Sequence, residues 1–393
     1  MDRVVVVGAG LGGIKTAEAL RTGDFAGSIT MVGAERHEPY DRPPLSKHVL
    51  RGEREPVPLA QPHVFGDLDV DLRLATAAVG LEDGAVVLDT GERLAYDRLV
   101  VATGAVVKTV PVVPAVVGVH YLRTLDDCRA LAADLRAGAR LVVVGGGFIG
   151  CEVAASARSL GVEVTIVEPQ PAPLIGAVGP EIAALVAAVH EEHGTTVLAG
   201  TGVAGLDGDD RVSGVVLDNG RTLPADVVVV GVGVRPATDW LTGSGLTIDD
   251  GVVVDEHLRT DSPDVYAVGD AARWYDVQLG RHTRAEHWTN TTEMAEVAAA
   301  NMLGADDVHS PVPYFWSDQY DVKIQSLGWL AEADEVRLLT VGAKGRRVAV
   351  YGRQGGLWGV LGLNAAMVVR SQRDNIAAHE PLDDVVAELL ARP

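Results

Sequence analysis

Residues 4–13 and 141–150 carry one pattern: a run of apolar strand formers that ends directly in G-x-G-x-x-G. Little else constrains the chain as tightly. Such runs read as strands of a parallel sheet buried on both faces. Gly8 and Gly145 permit a tight turn, Gly10 and Gly147 let the backbone approach a pyrophosphate, and Gly13 and Gly150 let a helix pack on its strand. Amides at the start of the following helix then face phosphate. Each unit continues into a second strand that stops at an acid, residues 29–32 before Glu35 and 162–167 before Glu168. An acid at that distance accepts hydrogen bonds from ribose hydroxyls. The repeat predicts two dinucleotide-binding units rather than two chance glycine turns.

The units are nested. After the first, residues 79–98 alternate as strand, turn and strand, and the strand 99–104 ends in Ala102, Thr103 and Gly104, where a backbone can lie against a cofactor. Residues 212–217, the Asp218-Asn219-Gly220 turn and residues 223–233 mirror that order in the second unit. The proline- and valine-rich stretch 105–118 reads as a crossover. The first unit resumes after Arg235-Pro236, because residues 265–270 form another strand ending in Gly269-Asp270, with small residues opening a helix after it. From residue 311 the pattern changes to strands at 324–330, 347–351 and 357–363 and a helix at 365–377, with no nucleotide fingerprint. The expected division is 1–107 with 236–311, then 108–235, then a small α+β domain at 312–393, all of class α/β.

Composition excludes several functions. A formal net charge of -21 disfavours nucleic acid and anionic membrane alike. No apolar run reaches membrane-spanning length and no basic, then apolar, N-terminal segment occurs, so a cytoplasmic protein is expected. Cys128 and Cys151 form no C-x-x-C, which leaves neither a redox disulfide nor a zinc site. His190-Glu191-Glu192-His193 is one residue short of a zinc-helix motif and reads as histidines in a last helical turn favoured by the helix dipole, so no metal is expected. No lysine or arginine lies between Glu168 and Glu181, which favours NADH over NADPH. Pro43 and Pro44 stiffen the loop 36–47, and Lys47 at its end is expected to begin a helix towards Leu50.

The stretches YDRPPLSK at 40–47, GGGFIGCE at 145–152, AVGD at 267–270, EHWTN at 286–290 and PYFWSDQY at 313–320 together resemble the FAD-dependent NAD(P)H:ferredoxin reductases. These serve haem-thiolate monooxygenases and ring-hydroxylating dioxygenases, and the resemblance runs in order through nearly the whole chain. It implies two nested Rossmann-like domains of the glutathione-reductase type and a C-terminal interface domain. It implies tight, non-covalent FAD held by Gly8, Gly10, Gly12, Gly13, Glu35, Arg42, Lys47, Val79, Ala102, Thr103, Gly104, Arg123, Gly269, Asp270, Trp288 and Trp316. NADH would be held by Gly145, Gly147, Phe148, Ile149, Gly150, Glu152, Glu168 and Gly233. For Trp288 and Trp316 core packing is the competing reading. Glu152 would face Lys47 across the flavin, as a pair that either steadies charge during hydride transfer or is structural.

The implied reaction passes electrons from NADH through FAD to a small iron-sulfur ferredoxin, with no acid-base residue or nucleophile. Disulfide and peroxide reductases of the same architecture need a cysteine where Lys47 sits or in the first helix, and neither place has one. A scaffold or signalling protein of the apoptosis-inducing-factor type is the rival from another class. An acidic chain meeting an acidic ferredoxin needs a local basic patch, for which Arg281, Arg284, Arg370 and Arg373 are candidates; the alternative is four solvated arginines.

Overall fold

The computed structural model describes residues 1–60, 62–82 and 84–392, and the side chains of 62–64 fall outside that description. Val4 to Val7 are buried in the strand Arg3–Val7, which pairs in parallel with Ser28–Val32 on one side and Arg98–Val101 on the other. Val70–Arg73 and Val265–Ala267 complete a five-stranded parallel sheet. The chain thus returns to its first sheet after the second unit, as the Val-Tyr-Ala run suggested. The helices Leu11–Thr22 and Trp288–Met302 pack against each other in this unit through small residues such as Ala17, Ala295 and Ala298.

The second sheet repeats the first. Arg140–Val144 lies between Glu163–Glu168 and Val227–Val230, with Thr196–Ala199 and Val119–Tyr121 at the edges, all in parallel. Each sheet is accompanied by an antiparallel three-stranded meander, Ala78–Glu82 to Arg93–Ala95 in one case and Val203–Asp207 to Thr222–Pro224 in the other. The register shifts in both at the equivalent place, between Ala78 and Gly80 and between Val203 and Gly205. The repeat therefore extends to a bulge that no local hydrophobic pattern would reveal.

The C-terminal region is a five-stranded antiparallel sheet in the order Tyr314–Gln319, Val322–Gly328, Gly356–Leu363, Arg346–Arg353, Glu335–Val341. Val348, Val350 and Val360 from its strands pack with Val369, Ile376 and Leu389 from the helices that follow. Each such side chain contributes about 1.5–3 kcal/mol by leaving water. By packing, the chain forms two compact units, Met1–Asp41 with Val57–Val106 and Val234–Pro311, and Arg42–Pro56 with Val107–Gly233 and Val312–Pro393. The loop Arg42–Pro56, which the sequence left with the first segment, packs within the second unit.

Three local expectations are corrected. Lys47 does not begin a helix: Pro43–Ser46 forms one 3-10 turn, and Lys47 closes it with φ -125° and ψ -110°. Two adjacent prolines suit a first helical turn, and nothing after Lys47 continues it. No helix opens at Asp270 either. Gly269 at φ 68° starts a 3-10 turn, and Ala272–Asp276, with Trp274 and Tyr275, goes on as a strand. The single helix at 365–377 is two short ones, Ala366–Arg370 and Arg373–Ala377, broken where the Ser371 hydroxyl bonds the Val368 carbonyl. Among the described residues no helix is long and apolar enough to cross a membrane, and no cluster of side chains could hold a metal ion.

Candidate functional site

In the first unit the glycines occupy three different environments. Gly8 has φ 120°, and a Cβ there would lie 2.1 Å from the Ala102 carbonyl oxygen. A Cβ on Gly13 would lie 2.0 Å from the Gly8 carbonyl oxygen, so only hydrogen lets the helix approach the strand. On Gly10 it would meet nothing within 4 Å. The cradle is thus closed by protein at Gly8 and Gly13 and open at Gly10, where the helix Leu11–Thr22 presents its N-terminal amides. That is the space a dinucleotide pyrophosphate requires, and the residues present fit the adenosine-diphosphate half of FAD.

Around this cradle, Glu35 accepts a hydrogen bond from the Tyr40 hydroxyl at 2.5 Å. The Thr103 hydroxyl donates to the Ala237 carbonyl at 2.8 Å, tying the strand end to the returning chain. Gly269 has φ 68° and faces Thr291, which brings the Gly269–Ala271 turn against the helix Trp288–Met302. The Trp288 indole donates to the Asp41 carboxylate at 2.9 Å, so this half-exposed ring has a polar anchor and is not simply a core residue. Val79 is 53% exposed on its strand. Gly12, Ala102, Gly104 and Asp270 belong to the same unit.

The second unit repeats the cradle. Gly145 has φ 103°, with a Cβ position 2.5 Å from the Gly231 carbonyl oxygen, and a Cβ on Gly150 would lie 2.2 Å from the Gly145 carbonyl oxygen. Gly147, like Gly10, has room: its nearest neighbour is 3.7 Å away. Glu168 accepts from the backbone amides of Gly146 at 2.6 Å and Gln170 at 2.8 Å, which fixes the carboxylate at the strand end. Exposed Ile149 and the Phe148 ring, edge-on to Phe315, stand at the helix start, and Gly233 has φ 93°. Trp316 stacks on Tyr314 in the neighbouring sheet.

Also in the second unit, Lys47 Nζ lies 2.6 Å from Glu152 Oε2, both nearly fully buried. The sequence reading set Glu152 across a flavin from Lys47 and expected a buried ion pair; the pair forms, by direct contact. The 3-10 turn Pro43–Ser46 directs Lys47 back onto its own Pro43 carbonyl at 3.0 Å and onto the helix Phe148–Ser159 that carries Glu152. Glu152 also accepts from the Ser46 hydroxyl at 2.5 Å and the Ser317 hydroxyl at 2.7 Å. A buried carboxylate with a cation and two hydroxyls has the satisfaction such a group demands. Ser46 and Ser317 went unassigned in the sequence, although both sit inside the YDRPPLSK and PYFWSDQY stretches. Arg42 donates to the Arg123 carbonyl at 2.7 Å, and both belong to this unit. So Arg42, Lys47, Arg123 and Trp316 lie in a different unit from the glycine cradle with which they were grouped.

The cysteines are inert. Burial pushes the Cys128 thiol up to about 11 and the Cys151 thiol higher still, so neither is a thiolate at neutral pH. His190 corrects the dipole reading: it is fully buried, bonded to Gln319 and Tyr320, and burial lowers its pKa to about 4, which keeps it neutral. Of the docking candidates, Arg284 is committed to Glu286 and Asp250, while Arg370 and Arg373 are exposed.

Two nucleotide cradles in parallel sheets with unreactive thiols define a pyridine-nucleotide flavoprotein rather than a dithiol enzyme. The comparisons agree on the class. Residues 2–295 match the pyridine nucleotide-disulphide oxidoreductase family and residues 314–388 the reductase C-terminal family. The chain belongs to the pyridine nucleotide-disulphide oxidoreductase family. It is 41% identical to the ferredoxin–NAD(+) reductase component of the anthranilate 1,2-dioxygenase system of Burkholderia cepacia, over 83% of this chain and 82% of that protein. It is 36% identical to putidaredoxin reductase of Pseudomonas putida, over 83% of this chain and 80% of that one. The crystal structure of the covalent putidaredoxin reductase–putidaredoxin complex superposes with a TM-score of 0.93 at 31% identity, covering 100% of this chain and 99% of that chain.

Proposed function

We propose that this protein is an FAD-dependent NADH:ferredoxin oxidoreductase that feeds a haem-thiolate monooxygenase or a ring-hydroxylating dioxygenase through a [2Fe-2S] ferredoxin. The observation that carries the reading is the pair of complete dinucleotide cradles in a chain whose cysteines stay protonated. When bound, FAD supplies the conversion between an electron pair taken as hydride and electrons released singly. The open side at Gly10 admits its pyrophosphate, and Glu35 holds the adenosine ribose. Asp270 binds the ribityl chain, Val79 meets the adenine, and Arg42, Lys47, Arg123, Trp288 and Trp316 serve the ring end. NADH occupies the second cradle through Gly145, Gly147 and Gly150, with Glu168 on its ribose. Glu152 and Lys47 act by holding fixed charge, not by moving a proton.

In the three-part division, 1–107 with 236–311 takes FAD, 108–235 takes NADH and 312–393 meets the partner. NADH supply places the protein in the cytoplasm. For docking, exposed Arg370 and Arg373 follow Met367, which is 82% exposed on the helix Ala366–Arg370. An exposed apolar side chain with two cations close by in sequence suits an acidic partner at short range, where the net charge of the whole chain is screened beyond about 8 Å. Arg281 adds to the positive charge in the first unit.

The test is the visible spectrum of purified protein before and after anaerobic NADH, followed by turnover with a panel of [2Fe-2S] ferredoxins and with ferricyanide. A yellow protein bleached by NADH and active with a ferredoxin is expected. Brisk ferricyanide reduction with no ferredoxin turnover would instead favour the scaffold or signalling class. Reversing charge at Arg370 and Arg373 raises the KM for ferredoxin and leaves ferricyanide reduction alone; a parallel fall in both rejects this docking surface.

A further inference from the structure

We propose that Ser317, Gln319 and His190 are positioning residues for Glu152: with Tyr320 and Thr195 they form a hydrogen-bonded chain in which every donor points towards the Glu152 carboxylate. All its members lie in the second unit. The proposal rests on the reading above that the Lys47–Glu152 pair serves the flavin end of the site.

The direction of each bond follows from the one before. Glu152 faces Lys47 at 2.6 Å and accepts, so the Ser317 hydroxyl must donate to its Oε1 at 2.7 Å. That hydroxyl has one hydrogen, and its oxygen therefore receives the Gln319 Nε2 amide at 3.1 Å. With its amide turned to Ser317, Gln319 presents Oε1 to His190 Nε2 at 3.0 Å, so Nε2 carries the proton. Burial keeps the ring neutral by lowering its pKa to about 4. A neutral imidazole protonated at Nε2 has a bare Nδ1, which accepts from the Tyr320 hydroxyl at 3.1 Å. Tyr320 oxygen then accepts from the Thr195 hydroxyl at 2.8 Å.

Ser317, Gln319 and His190 are 0–1% exposed, so water does not compete for these bonds. Aligned dipoles in such a setting reinforce one another. The amide of Gln319 cannot relay a proton as a hydroxyl does, and the chain is a means of orientation rather than a proton wire. It commits the Ser317 hydroxyl to Oε1 while Ser46 and Lys47 hold Oε2, which leaves the carboxylate one rotamer. The charged and titratable groups around His190 are His193 on the same helix, itself 3.4 Å from Asp321, and Tyr320 in the turn after the strand Tyr314–Gln319, whose own ring feels Arg158 and Cys151.

The polarity can be inverted by one isosteric change. In Glu152→Gln, Lys47 requires the amide oxygen on its side, so the new NH2 must face Ser317 and donate to it. Ser317 then donates to Gln319, whose amide turns over and donates to His190 Nε2. The ring is forced into the Nδ1–H tautomer, five hydrogen bonds from Thr195 to residue 152 having reversed. The measurement is imidazole 15N NMR of the flavin-loaded protein, with the His190 signals assigned through His190→Gln. Expected is a single neutral Nε2–H tautomer in the parent from pH 8 to pH 5 and an Nδ1–H tautomer in Glu152→Gln. A parent ring protonated at Nδ1, one that titrates near pH 6, or a tautomer unchanged in Glu152→Gln overturns the proposal. Stopped-flow flavin reduction adds a second readout. Gln319→Leu, which touches neither Glu152 nor Lys47, lowers the limiting rate at least threefold while NADH affinity is kept; an unchanged rate rejects the positioning role. The tautomer readings need no NADH, so a protein that NADH fails to bleach would sink the functional reading without deciding this one.

Discussion

Acid should unfold this protein through buried histidines, His190 and His309 among them, before the carboxylates held low by partners titrate. His190 in the second unit and His309 in the first are 0% and 2% exposed, and burial lowers each pKa from 6.5 to about 4. The folded pKa lies below the unfolded one, so the stability these rings hold is complete above pH 6.5 and is lost as the pH falls towards 4. At pH 5 the unfolded ring is almost fully protonated and the folded ring almost not at all, a difference of about 2 kcal/mol per ring and about 4 kcal/mol for both. The carboxylates held low by partners, among them Asp97, Asp226 and Glu53 at about 2, keep nearly all of their contribution at pH 5 and lose it as the pH falls further. Asp276, whose pKa burial raises, opposes the trend, and comparison with a variant cancels it.

The variant is His309→Gln. Its amide can still donate to Asn290 Oδ1, the 3.0 Å partner of His309 Nε2, but it cannot titrate. His309 lies edge-on to the fully buried Trp274, so tryptophan fluorescence follows the right place during urea unfolding. Between pH 7 and pH 5 the first-unit transition should lose about 2 kcal/mol more in the parent than in His309→Gln. His190→Gln should remove the same increment from the second-unit transition instead. If parent and variant lose stability equally within about 0.5 kcal/mol, the burial argument is wrong.

Other consequences follow from single contacts. Gly13→Ala sets a Cβ 2.0 Å from the Gly8 carbonyl oxygen and should yield protein purified without flavin, whereas Gly150→Ala, at 2.2 Å from Gly145, should keep flavin and lose bleaching by NADH. The ratio of visible to ultraviolet absorbance and a titration with NADH check both. Lys47→Met strands the buried Glu152 and should cost about 3–5 kcal/mol by thermal unfolding, most of it recovered in the double variant with Glu152→Met. Tyr351→Phe deletes a 2.6 Å bond to the Val178 carbonyl and should cost about 1–3 kcal/mol by the same assay.

What was legible was local. Gly8, Gly10 and Gly13 lie within one turn, and their roles follow from backbone geometry that a short sequence window contains. Nesting was legible too, because a second copy of the pattern interrupts the first. The partners of Glu152 were not, since Ser46 and Ser317 lie 106 and 165 residues away and a serine carries no signal of its own. Lys47 was read as a helix start because proline at a first turn is usual, but the turn ends at once and aims the side chain at Glu152. His190 looked like a dipole-favoured cation at a helix end; the sheet strand Tyr314–Gln319, distant in sequence, buries it instead. Burial of a polar residue by a remote element is a tertiary fact, and periodicity carries none of it.

The two acids at the strand ends, Glu35 and Glu168, show how a repeated unit can diverge in what it tolerates. Glu35 accepts from a side chain, the Tyr40 hydroxyl, whereas Glu168 accepts from the amides of Gly146 and Gln170. Gly146 is hemmed in, since a Cβ there would lie 3.0 Å from Pro173 and 3.1 Å from Glu168 Oε2. The carboxylate at 168 therefore cannot swing aside for a 2′-phosphate, and it also completes the glycine turn through the Gly146 amide. Replacing it with a cation to favour NADPH should fail for the second reason. Glu168→Arg removes the repulsion but leaves the buried Gly146 amide without an acceptor, at about 1–3 kcal/mol. Glu168→Gln keeps one oxygen for that amide and loses the charge together with the bond from the Gln170 amide. The Arg variant should show a lower Tm, a fall in kcat/KM for NADH of a hundredfold or more, and little gain with NADPH. The Gln variant should lose less Tm than the Arg variant and narrow the preference for NADH. An Arg variant that used NADPH as well as the parent uses NADH, at unchanged Tm, would show that the turn does not depend on this carboxylate.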